Sequence, residues 1–318
     1  MSDERIAFRT CPLCEAGCGL EITVKGSTIG RIRGDMDDVF SHGFICPKGS
    51  TLKQLHEDPD RLRKPHIKRN GVHVEVEWDE AWAEIAGRLQ DVIERHGRDA
   101  VGVYLGNPGA HSLSAMLYNR TLLQGLGTHN RFSASTVDQL PKQVAAGYMF
   151  GTGVSVAVPD LDRTDYLMIL GANPYASNGS VCTAPDFPGR IEAIRARGGK
   201  VVVVDPRRTR TAEEADQWIA IRPATDALFL MAIVNVLFAE NLVKIQDHIT
   251  ALLNGLDDVR EVSREFTPER VAEATGLEAE VVRQVARELS AAKTAAVYGR
   301  IGTTTTEFGT TASWLVDV

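Results

Sequence analysis

Three of the chain's five cysteines, Cys11, Cys14 and Cys18, form a C-x2-C-x3-C run, and Cys46 follows after twenty-seven intervening residues, directly before Pro47. Thiolates are soft ligands, and four of them gathered at one place suit a structural zinc ion or an iron–sulfur cluster. Zinc knuckles present two similar C-x2-C pairs, whereas a three-plus-one split closed by Cys-Pro favours a [4Fe–4S] cluster. Two short β-type runs, residues 20–24 and 29–33, meet across Lys25-Gly26-Ser27 and would return Cys46 to the other three.

A second group of polar residues stands where short apolar runs end. Residues 101–105 lead into "GNPG", 166–170 into "GANP" and 201–204 into "DPRRTR". Residues 218–221 lead through "RPATD" into an apolar helix over 227–240. Such runs, alternating with helical stretches, predict an α/β fold with a parallel sheet, in which ligands lie beyond the carboxyl ends of the strands. Asn107 and Asn173 can hydrogen-bond a phosphate, and each also suits a plain turn. Asp205 can accept from ribose hydroxyls, with Arg207 and Thr209 beside it for phosphate or base. Asp226 opens a helix, where its charge suits the macrodipole, and it can also accept two N–H donors from a guanine edge. None of these loops is a G-x-G-x-x-G or a P-loop, which argues against an ordinary NAD or ATP site.

Ahead of this region, residues 64–78 read as a hairpin turning on Asn70-Gly71, followed by an amphipathic helix with Asp79 as N-cap and Gly97 as its stop. A last strand is expected over 294–298. Forty-two acidic against thirty-five basic residues, net charge −7, argue against a nucleic-acid binder. The apolar run 227–239 is thirteen residues long, too short for a membrane span. The opening "MSDERIAFRT" carries neither a signal peptide nor a twin-arginine pair, so a cytoplasmic protein with reduced thiols is expected.

The stretch from Cys11 to Gly49 resembles the N-terminal cluster domain of the molybdenum/tungsten bis-molybdopterin-guanine-dinucleotide oxidoreductases, the group of the formate dehydrogenases and nitrate reductases. "NP" after one strand, "DPR" after the next and a "GTD"-like turn extend the likeness along the chain, with Ala224 where the family has glycine. The resemblance implies a [4Fe–4S] cluster held by Cys11, Cys14, Cys18 and Cys46, with Lys48 between cluster and pterin. It implies a molybdopterin guanine dinucleotide contacted by Asn173, Asp205, Arg207 and Asp226, and a bound Mo or W. The metal's protein ligand would fall in "SASTVDQLPKQVAAG" at Asp138, which on the residues alone is equally a cap for a helix over 139–149; Cys182 is the rival thiol. Formate dehydrogenases carry selenocysteine or cysteine followed by histidine there, and the pair here is Asp138-Gln139.

The expected architecture is a small β-rich [4Fe–4S] domain over 1–62, followed by a Rossmann-like dinucleotide-binding domain over 138–293. Residues 63–137 would begin another α/β domain, completed by 294–318 and by sequence beyond this chain. The expected function is that of part of an oxidoreductase. It would pass electrons between the cluster and a pterin-held metal that performs two-electron oxidation or reduction, or oxygen-atom transfer. A small-molecule substrate and a ferredoxin-, flavin- or NAD-linked redox partner would complete the reaction. Two alternatives stand beside it: an electron-transfer subunit that kept the cluster and lost the metal, and a zinc-binding structural module on an α/β domain.

Overall fold

The computed structural model describes residues 4–179, 182 and 184–318, apart from the side chains of Asn107 and Pro108. The chain divides into two compact units, Met1–Ala134 and Ser135–Val318.

The first unit opens with three antiparallel strands in the order β1 (Glu4–Thr10), β2 (Gly19–Lys25) and β3 (Thr28–Gly34). β1 pairs along its whole length, from Glu4 opposite Lys25 to Thr10 opposite Gly19. Its Ile6 and Phe8 are exposed, so it is an edge strand without the half-buried alternation that marks a strand in sequence. Leu20, Cys11, Cys18 and Ala16 form a small core beneath the sheet, with Ile22, Ile32, Phe44 and Ile45 around it.

A hairpin of β4 (His66–Arg69) and β5 (Val72–Glu75) turns on Asn70 and Gly71, both at positive φ as a two-residue hairpin turn requires. Helix α1 (Trp78–His96) begins two residues earlier than expected: Glu77 is its N-cap, and Asp79 sits in the first turn. Two short parallel strands follow, β6 (Val103–Leu105) and β7 (Arg131–Ser133), joined through α2 (Leu113–Leu126).

The second unit is built on four parallel strands, β8 (Tyr166–Leu170), β9 (Lys200–Val204), β10 (Gln217–Ile219) and β11 (Ala295–Gly299). Their spatial order is β10-β9-β8-β11. Successive side chains of a strand point to opposite faces, and here each set has its own core. Met168, Leu170, Val202 and Val204 pack with Phe229, Ile233, Val282 and Val285, while Leu167, Ile169, Val201 and Val203 pack with Phe187, Ile191 and Ile194. Burial on both faces explains why β8 and β9 read as unbroken apolar runs.

One domain expectation needs correcting. Residues 294–318 do not complete the α/β region begun at residue 63. β11 hydrogen-bonds in parallel to β8, with Ala295 opposite Tyr166 and Gly299 opposite Leu170. The helix after it, Gly309–Asp317, buries Ala312 and Leu315 in the second unit. The strand order then reverses direction between β8 and β11. In a doubly wound sheet such a switch point opens a crevice at the carboxyl ends of the strands.

Candidate cofactor and metal centres

Cys11 and Cys18 are buried, Cys14 and Cys46 half-buried, and all are free thiols. The loop between the first three is closed by Cys11 N–H donating to the Cys18 carbonyl at 2.8 Å. The returning segment is shaped by Asp38, whose carboxylate accepts from the backbone and hydroxyl of Ser41 at 2.6 and 2.7 Å; these bonds hold its pKa below the usual carboxylate range. Ser41 in turn accepts from Gly19 N–H at 3.0 Å. Cys46 then N-caps the helical turn Pro47–Ser50. A side chain at Gly49 would lie 3.8 Å from Cys11 Sγ, so that turn sits directly beside the first cysteine.

The four thiols are close enough to act on one another. Burial, then the charges of Cys14, Cys11 and Cys46, push Cys18 up to about 11. Cys11 is raised chiefly by burial, against which a Leu13 N–H and the nearby Lys48 charge favour the thiolate. Among the described residues no three His, Cys, Asp or Glu side chains converge on a point as the ligands of one metal ion do. Cys11 and Cys18 lie in the small apolar core with Cys14 packed against it, and Cys46 is near enough for its charge to act on both.

In the second unit the expected contacts stand at the carboxyl ends of adjacent strands. After β8, Asn173 accepts at Oδ1 from Thr211 Oγ1 at 2.7 Å, and Thr211 accepts from Tyr175 N–H at 3.2 Å. After β9, Asp205 accepts from Arg207 N–H at 2.8 Å, and the Arg207 side chain is exposed. Thr209 is buried and caps the short helix Arg210–Glu213 by accepting from Ala212 N–H, which leaves its O–H as a donor. After β10, Asp226 occupies the first turn of the apolar helix Asp226–Ala239 and is 6 % exposed. Burial pushes its carboxyl up to about 6, and the nearby Asp205 charge adds to this. Asp205 is itself raised by burial. No ion pair holds either carboxylate among the described residues. Two desolvated acceptors with spare lone pairs fit a ligand bearing N–H and O–H donors, as guanine and ribose do. Asn107 opens the turn Asn107–His111 in the first unit, but its side chain lies outside the described residues.

Two backbone features complete this edge. Ala224 has φ +66°, the left-handed region that favours glycine. At the switch point, Gly302 N–H donates to Gly171 O at 2.9 Å, and a side chain on Gly171 would fall 2.7 Å from Gly302 Cα. The loops after β8 and β11 therefore touch backbone to backbone.

Asp138 ends the short helix Ser135–Asp138; the following helix, Leu140–Phe150, is capped by Gln139. The Asp138 carboxylate, 30 % exposed, pairs with Arg300 at 2.8 Å. Arg300 was not among the residues the sequence singles out, although "YGRIG" has the same strand–Gly–polar form as the other strand-end loops. Cys182, 1 % exposed in the core around Phe187, is pushed up to about 12 by burial. A thiol so protonated is a core residue rather than a ready metal ligand.

Residues 9–57 match the molybdopterin oxidoreductase Fe4S4 domain, and residues 61–314 match the molybdopterin oxidoreductase domain. The chain is 28 % identical over 312 residues to the F420-dependent formate dehydrogenase 2 subunit alpha of Methanococcus maripaludis, covering 97 % of this chain and 44 % of that protein. It is 30 % identical over 298 residues to a nitrate reductase of Symbiobacterium thermophilum, covering 88 % and 38 %. Its fold matches that of acetylene hydratase from Pelobacter acetylenicus with a TM-score of 0.78 at 24 % identity, over 96 % of this chain and 42 % of that one. The chain thus spans less than half the length of these proteins. With a cluster domain match over the thiol nest and an oxidoreductase match over both units, the chain belongs to the molybdopterin oxidoreductase family.

Proposed function

We propose that this chain carries the cluster-bearing and dinucleotide-binding part of a molybdenum or tungsten oxidoreductase. The observation that carries the reading is the pair of desolvated carboxylates, half-buried Asp205 and buried Asp226, with no ion pair to either among the described residues at the carboxyl ends of β9 and β10. Asp226 would accept from two N–H groups of a guanine edge and Asp205 from ribose hydroxyls, while Asn173, Arg207 and Thr209 donate toward phosphate or base. Cys11, Cys14, Cys18 and Cys46 would hold the [4Fe–4S] cluster. Lys48 lies near enough to favour negative charge at Cys11, and its ammonium would stabilise the reduced cluster and donate toward the pterin.

Asp138 is the candidate protein ligand of the metal, which when bound would supply two-electron chemistry at a small-molecule substrate. A redox partner, ferredoxin-, flavin- or NAD-linked, would exchange electrons through the cluster. No helix among the described residues is long and apolar enough to cross a membrane.

Metal analysis of the full-length protein, purified without oxygen, tests this reading. About four irons per chain together with molybdenum or tungsten are expected, with broad absorbance near about 400 nm. Iron without molybdenum or tungsten would turn the reading to an electron-transfer subunit. A colourless protein holding zinc would turn it to a structural module.

A further inference from the structure

Asp138 and Arg300 are 162 positions apart, yet the fold joins them twice. Arg300, 8 % exposed, donates through Nη1 to Asp138 Oδ1 at 2.8 Å. From the same turn, Thr304 Oγ1 donates to the Asp138 carbonyl at 2.8 Å. Both side chain and backbone of Asp138 are thereby anchored to the segment that follows β11.

The pairing is incomplete in a specific way. Arginine and carboxylate commonly close two parallel bonds. Among the described residues, Arg300 Nε is buried with no acceptor and no hydrogen bond reaches Asp138 Oδ2. Among the described residues one carboxylate oxygen is engaged and the other is not. For Oδ1 to turn elsewhere, the buried guanidinium would lose its only carboxylate partner among the described residues, and a buried, unpaired cation is strongly unfavourable.

We propose that Arg300 is a positioning residue that holds Asp138 Oδ1, so that the carboxylate offers a metal Oδ2 alone. This deepens the reading of Asp138 as the metal's protein ligand and rests on it. Outer partners of ligating carboxylates orient them in this way. A carboxylate that binds through both oxygens occupies two coordination positions; Arg300 limits Asp138 to one and leaves the other for substrate.

X-ray absorption at the metal edge of the loaded full-length protein tests the inference by counting oxygen neighbours. Asp138→Ala is expected to lose one. Arg300→Gln is expected to gain one, as the freed carboxylate binds through both oxygens. Arg300→Lys, which keeps a donor for Oδ1, should match the wild type. An unchanged count in Arg300→Gln, with one oxygen lost in Asp138→Ala, overturns the positioning role. An unchanged count in Asp138→Ala overturns the ligand reading itself.

A second measurement needs no metal. Thermal midpoints of the unloaded chain carrying Asp138→Ala, Arg300→Gln or both should show the double variant losing less than the sum of the single losses. Additive losses would mean the pair does not form, and the inference falls.

Discussion

Asp226, proposed here as a nucleotide contact, is a burden to the fold that carries it. Its carboxyl keeps a proton up to about pH 6 in the folded chain, whereas an unstrained aspartate releases it near about pH 4. Because the folded state binds the extra proton in that window, stability is fully present below about pH 4 and falls as pH rises through about 6, by about 2–3 kcal/mol. Asp226→Asn should remove this slope: denaturant unfolding of the unloaded chain at pH 7 to 8 should show the variant more stable, with the gain vanishing below about pH 4. The same variant should bind guanine nucleotide more weakly, since one acceptor becomes a donor. Ala224 makes a related case. A non-glycine residue at φ +66° is strained, and Ala224→Gly is expected to raise stability by about 0.5–1 kcal/mol, read as a higher urea midpoint.

At the scale of elements, the loops after β8 and β11 are held by a close backbone approach. Gly171 has φ +56°, and its missing side chain is what lets Gly302 approach. Backbone cannot yield as a flexible side chain can, so Gly171→Ala should cost about 2–4 kcal/mol of unfolding free energy in urea. Thr211→Val is the milder probe of the same edge: it removes the hydroxyl that steadies Asn173 and should cost about 1 kcal/mol while weakening nucleotide binding. Strands β8 and β9 were plain in the sequence because both faces are buried and their residues are apolar throughout. β1 was not, because an exposed edge strand needs no apolar alternation. β7 was not, because three residues, Arg131–Ser133, carry too little pattern to read.

For the whole molecule, the two units depend on different sources of stability. The second has two apolar cores around one sheet, whereas the small core beneath β1–β3 includes Cys11 and Cys18, with Cys14 packed against it. Where ligands are part of the core, metal binding is folding free energy. Cys46→Ser should therefore lose most of the iron and the absorbance near about 400 nm. Hydrogen exchange should quicken in β2 and β3, while β8 and β9 keep their protection. Equal loss of protection in both units would refute this division.

The sequence by itself determined the cysteine set, the parallel-sheet class and the polar residues at the ends of β8, β9 and β10. Those are local properties: a ligand spacing, an apolar run, the turn that follows it. Only the tertiary structure decided that β11 joins β8 rather than the region begun at residue 63, that Gly171 meets Gly302, and that Arg300 holds Asp138. Parallel strands are paired across long stretches of chain by the cores they share, and no short-range pattern states which edge a strand will take. The identity of the partner beside Asp138 followed from that one pairing.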